Sequence, residues 1–226
     1  MQNIDFVPFL SKNLILSPIS VILLVSEKEK AVIALKLLEE KIASCGRILP
    51  GQIVKVDGFL NHQLDVALIT ELGKEFFRLF SDCKITKILT IESSGIAIAF
   101  AAAQCFNVPV VFAKKGSHKN VGNDVYTADC YSFTKGETSK ISVSKRYLSS
   151  SDNVLIIDDF LANGAATECL MDILSQAGAS LAGIGIAIEK GFQNGGKKLR
   201  ESGVNVQSLA IIESMTDTSV TFRGDN

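Results

Sequence analysis

Residues 154–166, V-L-I-I-D-D-F-L-A-N-G-A-A, constrain this chain more than any other segment. The apolar residues 154–157 make a buried strand, and two adjacent carboxylates, Asp158 and Asp159, stand at its carboxyl end. A small-residue turn follows, Ala162-Asn163-Gly164-Ala165-Ala166. Leu170, Ile173, Leu174 and Ala177 then recur at helical spacing, and Gly178 closes the helix. A small-residue turn that opens a helix offers a phosphate bare backbone N–H groups at the positive end of the helix dipole. Acids beside it can hold sugar hydroxyls. The run suits a sugar phosphate, although the same outline is also that of an ordinary βα junction.

The rest of the chain continues the alternation. Residues 27–45 form the first expected helix, with Ala31, Ala34, Leu35, Leu38 and Ile42 on one face, and Gly46 ends it. Pro50-Gly51 is a turn, and 53–56 is a short strand leading into a loop that carries Phe59, Asn61 and His62. A second helix covers 67–80. A strand at 88–91, a Ser-Ser-Gly turn, a helix at 96–105 and a strand at 108–112 follow, the last ending in Ala113-Lys114-Lys115-Gly116. Residues 117–140 are polar with little periodicity and predict a long mobile loop with short antiparallel strands. A strand at 181–188, a helix at 195–202 and a strand at 204–212 complete the pattern, and the polar stretch after Thr216 is expected to fray. The fold class is therefore α/β, a mostly parallel sheet flanked by helices on both faces, with ligands at the carboxyl ends of its strands. The expected division is an N-terminal extension over 1–26, one domain over 27–216 and a polar tail over 217–226.

Composition removes several classes of function. With 226 residues and a net charge of −1, the chain is one domain with no global field for nucleic acid or an acidic membrane surface. Any polyanion site must be a local cluster. The five cysteines, Cys45, Cys83, Cys105, Cys130 and Cys169, contain no C-x-x-C pair and read as free thiols in a reducing compartment. His62 and His118 form no metal-ligand spacing with them. The apolar run at 14–25 is broken by Ser17, Pro18 and Ser20, too short to span a bilayer and without the flanks of a signal peptide. A loose tail or an added packing element fits it better than an organellar presequence.

The run at 154–166 resembles the phosphoribosyl pyrophosphate (PRPP) signature of the type I phosphoribosyltransferases, and further segments resemble the xanthine branch of that family in order. K-V-D-G-F-L-N-H-Q at 55–63 is similar to its base-site segment, and I-T-K-I-L-T-I-E-S-S-G-I-A at 85–97 to its pyrophosphate loop. V-P-V-V-F-A-K-K at 108–115, Y-S-F-T-K at 131–135 and A-G-I-G-I-A-I-E-K-G-F-Q at 182–193 also match. The 1–26 extension lies outside the resemblance.

The resemblance implies the type I phosphoribosyltransferase fold, with a small hood built from the N-terminal segment and part of the C-terminal segment. It implies transfer of 5-phosphoribosyl from PRPP to xanthine, giving XMP and pyrophosphate in purine salvage. It further implies Mg2+ accompanying PRPP, a cytoplasmic homodimer, and no nucleic-acid or membrane partner. Asp158 and Asp159 would hold the ribose hydroxyls, with Asp159 the candidate contact to the ion; no set of protein side chains alone is expected to bind a metal. Ala162, Asn163, Gly164, Ala165 and Ala166 would take the 5-phosphate. Ser93, Ser94, Lys114 and Lys115 would face the pyrophosphate, and 131–135 would belong to a closing flap. Val54, Asn61 and Lys190 would contact xanthine, and Phe160 or Phe192 would stack on its ring. Ala165 stands where the xanthine branch commonly has Gln, which removes a side-chain contact but no backbone one. Ala162 stands where hypoxanthine–guanine enzymes usually have Asp, which argues against that subclass.

An adenine phosphoribosyltransferase would share the signature but lack the F-L-N-H-Q segment and Lys190. A PRPP-sensing regulator would need an N-terminal winged-helix domain, which the roughly 30 cation-poor residues ahead of the resemblance cannot supply. A Ser–His–Asp hydrolase finds only two histidines and no G-x-S-x-G.

Overall fold

The computed structural model describes residues 27–116, 124–132 and 136–224. The 1–26 extension, much of the expected polar loop (117–123), the flap residues 133–135 and the last two residues lie outside them.

Helix α1 (Glu27–Cys45) comes first and buries Leu38 and Ile42. Gly46 ends it, its N–H donating to the Ile42 carbonyl at 2.9 Å. A two-stranded hairpin follows, β1 (Arg47–Leu49) and β2 (Ile53–Lys55). Its turn is the expected Pro50-Gly51, and β1 was too short to announce itself by periodicity. The segment expected as a loop is a helical turn over Asp57–Asn61 that buries Phe59 and Leu60. Asp65 then accepts from the Leu68 N–H at 3.1 Å and caps α2 (Val66–Leu79).

Strand β3 (Lys87–Ile91), helix α3 (Gly95–Phe106) and strand β4 (Val110–Lys115) form the first crossover. Strands β5 (Val125–Ser132) and β6 (Glu137–Ser144) pair antiparallel over eight residues each, longer than the short strands expected there. Their alternation puts Ala128, Cys130, Ile141 and Val143 inward and leaves polar residues outside, which hides the strands in a composition reading. Strand β7 (Asn153–Leu161), helix α4 (Ala165–Ala177), strand β8 (Ser180–Lys190), helix α5 (Asn194–Glu201) and strand β9 (Val206–Met215) complete the parallel part. The stretch expected to fray contains a last strand, β10 (Val220–Phe222). It pairs antiparallel with β9 and buries Phe222, so the sheet, not the tail, claims these residues.

The eight-stranded sheet runs β10-β9-β8-β7-β3-β4-β6-β5, parallel from β9 to β4 and antiparallel at both edges. Strand β7 feeds both cores, Leu155 and Ile157 into the one beneath α2 and α3, Val154 and Ile156 into the one beneath α4. A strand covered on both faces must be apolar throughout, as 154–157 is. The strand order reverses between β3 and β7. In an open α/β sheet such a switch point leaves a crevice at the carboxyl ends of the two strands.

Candidate functional site

The crevice between β3 and β7 receives the acid pair. Asp158 and Asp159 lie inside β7, not beyond its end, because the strand continues to Leu161. Both are buried: 5% and 7% of their surface is exposed. The Asp159 N–H donates to Asp158 Oδ1 at 2.9 Å. Burial pushes the Asp158 carboxyl well above the usual range and the Asp159 charge adds to it; the Asp159 N–H and the charge of Lys115 act the other way. Helix α3 starts directly against this carboxylate. A Cβ on Gly95 would stand 2.8 Å from Asp158 Oδ1 and 2.2 Å from the hydroxyl of Thr90, so only glycine permits the approach.

The small-residue turn leads directly into α4. Gly164, at φ 90°, precedes α4, and no side chain caps the helix. The first N–H groups of α4 therefore remain available to an anion. The N-terminus of α5 braces the turn from behind: the Gly195 N–H donates to the Ala162 carbonyl at 3.1 Å. A Cβ at Gly195 would stand 2.3 Å from that oxygen.

A cavity of about 340 Å3 opens between this turn, the β1–β2 hairpin and the end of β8. Ala162, Asn163, Gly164, Ala165 and Ala166 form one wall, with Phe160 and Lys190 beside them. Lys190 Nζ donates to the Gln52 carbonyl at 2.8 Å, so the hairpin is tied to the sheet across the cavity. Burial holds the Lys190 ammonium below its ordinary pKa. Asn61 makes a second tie, donating from Nδ2 to Asp159 Oδ2 at 3.2 Å.

Other expected residues fall elsewhere. The Val54 side chain points into the core, and its neighbours Gln52 and Ile53 line the cavity instead. Of the two candidate stacking rings, Phe160 lines the cavity and Phe192 packs on the core. Alternation along β4 separates the two lysines. The charge of Lys115 is felt at Asp158, whereas Lys114 lines a separate cavity with Lys87 and Arg146. Ser93 and Ser94 sit on the β3–α3 loop in a neighbouring cavity that also holds Asn61 and His62. That loop is held by the Lys115 N–H, which donates to Glu92 Oε1 at 2.6 Å; its Glu92–Ser93 peptide is cis.

Comparison with known proteins agrees with this geometry. A family model described as "Phosphoribosyl transferase domain" matches residues 55–221. The chain belongs to the phosphoribosyltransferase family. It is 58% identical over 188 residues to a xanthine phosphoribosyltransferase of Ruminiclostridium cellulolyticum, covering 83% of this chain and 99% of that one. A xanthine phosphoribosyltransferase of Alkaliphilus metalliredigens is 55% identical over 191 residues, covering 84% and 95% of the two chains. Solved adenine phosphoribosyltransferases share the fold. That of Rhodothermus marinus superposes with a TM-score of 0.65 at 22% identity, covering 80% of this chain and 99% of that one. That of Trypanosoma brucei gives 0.67 at 17%, covering 84% and 86%.

The Gln52 carbonyl and the Gly195 brace are absent from the expected site residues, and so is Gln193, which lines the cavity with Lys190. Gln52 follows the Pro50-Gly51 turn and takes a positive φ of 61°, so the turn signal was the available pointer. Gly195 opens the helix expected over 195–202, but its sequence carries no hint of what it touches.

Proposed function

We propose that this protein transfers the 5-phosphoribosyl group of PRPP to xanthine, forming XMP and releasing pyrophosphate, in purine salvage. The observation that carries the choice of base is the 58% identity over nearly the whole of a protein named xanthine phosphoribosyltransferase. In this reading each part of the reaction has residues to serve it. The uncapped turn before α4 binds the 5-phosphate through backbone N–H groups. Asp158 and Asp159 hold the ribose hydroxyls at the sheet crevice. Ser93, Ser94 and Lys115 face the pyrophosphate. Lys190 meets the oxo groups of xanthine, Asn61 approaches the base from the hood, and Phe160 offers a ring face. The C1′–O bond to pyrophosphate breaks as a C1′–N bond to the purine forms and a ring N–H proton leaves. The ribosyl centre gains positive charge on the way, and the buried acids stabilise it.

Two adjacent carboxylates have the hard-oxygen chemistry that Mg2+ takes. Among the described residues no cluster of three His, Cys, Asp or Glu could cage an ion alone. Asp159, with Asp158, would hold it, and its charge would neutralise the departing pyrophosphate.

Purified protein with PRPP and Mg2+ is expected to consume xanthine in preference to guanine, hypoxanthine and adenine, and to stop when the metal is chelated. A clear preference for adenine would sink the assignment. Lys190→Ala is expected to raise KM for xanthine about ten- to a hundredfold, the loss of one charge-assisted hydrogen bond. KM for PRPP should hold. An equal rise for both substrates would point to a folding defect instead.

The protein acts as a cytoplasmic homodimer in this proposal. All five cysteines are free, as in a reducing compartment. Leu64, Val66 and Phe100 are exposed around the cavity that contains Ser93 and Ser94, a face a second copy would cover. Sedimentation equilibrium should give twice the chain mass of 24.3 kDa; a monomer would remove the dimer from the proposal. Among the described residues no helix is long and apolar enough to cross a membrane.

A further inference from the structure

Gln193 stands three residues after Lys190, and its N–H donates to the Lys190 carbonyl at 2.9 Å. That tight turn brings both side chains to the wall of the same cavity, with Phe160 beside them. Gln193 also precedes α5, where Ser, Thr, Asp or Asn would normally cap the helix through the side chain. Its side chain makes no cap. Its Oε1 is sealed from solvent and has no hydrogen-bond partner. A buried amide oxygen left unpaired is costly, and in native proteins such a group calls for an explanation. The terminal torsion of Gln is soft, so the amide can turn without moving the backbone.

The chemistry of the base supplies the missing partner. Xanthine presents oxo groups next to ring N–H groups. A lysine ammonium only donates, so Lys190 suits an oxo group and cannot accept a ring N–H. An amide oxygen can. Adenine carries unprotonated nitrogens in its six-membered ring, which would set acceptor against acceptor.

We propose that Gln193 is a specificity-determining residue whose Oε1 accepts a ring N–H of the oxopurine held by Lys190. The proposal rests on the xanthine reading above. Gln193→Met keeps the length of the side chain and removes the amide. It is expected to raise KM for xanthine about ten- to a hundredfold. KM for PRPP and the melting temperature should hold. Gln193→Glu keeps an acceptor and is expected to bind xanthine better than the Met variant. Unchanged KM for xanthine in the Met variant would overturn the proposal. So would an equal loss in both variants, or a parallel rise in KM for PRPP. Wild-type protein that fails to use xanthine would overturn both the reaction and this residue's role. Wild-type protein that uses it, with both variants unaffected, would overturn only the role of Gln193.

Discussion

Asp158→Asn is expected to lose about 10²- to 10³-fold in kcat, the usual effect of removing one preorganised electrostatic partner of a transition state, and yet to melt at a higher temperature than the parent. The two effects share one cause. Asp158 is buried beside Asp159, and burial followed by that neighbouring charge holds its carboxyl well above the ordinary value of 3.8. A carboxyl whose pKa is higher folded than unfolded binds protons more tightly in the folded state. Its ionisation then opposes folding, and stability falls as pH rises from the unfolded value through the raised folded one. Asparagine has the shape of the neutral acid and no ionised form. Its side-chain oxygen can still accept the 2.9 Å bond from the residue-159 N–H. The gap in melting temperature between variant and parent should therefore widen from acid toward neutral pH. Calorimetry across that range, with turnover measured on the same preparations, checks both halves. A variant less stable than the parent at neutral pH, or one with near-normal kcat/KM, would refute the role given to the acid.

That trade of stability for chemistry also explains what the sequence could disclose. The strand, the acid pair, the small-residue turn and the helix over 154–178 were legible because each has a local cause: an apolar run, adjacent charges, glycine and a 3.6-residue period. The depth of the acids was not legible. It depends on β7 running on to Leu161 and on α3 meeting the carboxylate at Gly95, a contact between segments more than 60 residues apart. Lys114 and Lys115 look alike in sequence, and only the register of β4 decides which of them shares a face with the site. Val54 was placed by its segment, yet the pleat turned it inward and gave the cavity to Gln52 and Ile53. Strand β10 was concealed because three residues with one buried ring carry no periodic signal.

An ion pair between β8 and α5 predicts the largest loss of stability. Glu189 is 2% exposed, one residue before Lys190, and accepts from Arg200 Nη1 and Nη2 at 2.8 and 2.6 Å and from the Ser208 hydroxyl. Burial pushes the Glu189 carboxyl up, but the hydrogen bonds from Arg200 and Ser208 outweigh it and hold the group below its ordinary 4.5. A depressed carboxyl stabilises the fold above its unfolded pKa, and that contribution is lost as pH falls through the folded value. Arg200→Met would strand the carboxylate in the interior. Breaking such a pair costs about 3 kcal/mol, the lower end of the range because Arg200 itself is partly exposed. For a domain of this size that is a fall of about 6–12 °C in melting temperature. The double variant Glu189→Gln with Arg200→Met removes the stranded charge and should recover much of the loss. With Arg200 gone, burial pushes the Glu189 carboxyl up, so the single variant's deficit should shrink as pH falls from neutral and the stranded group takes up its proton. The damage should also reach the active site. Arg200 lies on α5, whose first turn holds Ala162 through the Gly195 N–H, and a Cβ at Gly196 would stand 2.0 Å from Glu189 Oε1. Loosening α5 removes the brace behind the phosphate turn, so KM for PRPP should rise in the single variant and fall back in the double. A single variant with the parent's melting temperature would show that water already satisfies Glu189, and that the ion pair does not anchor α5.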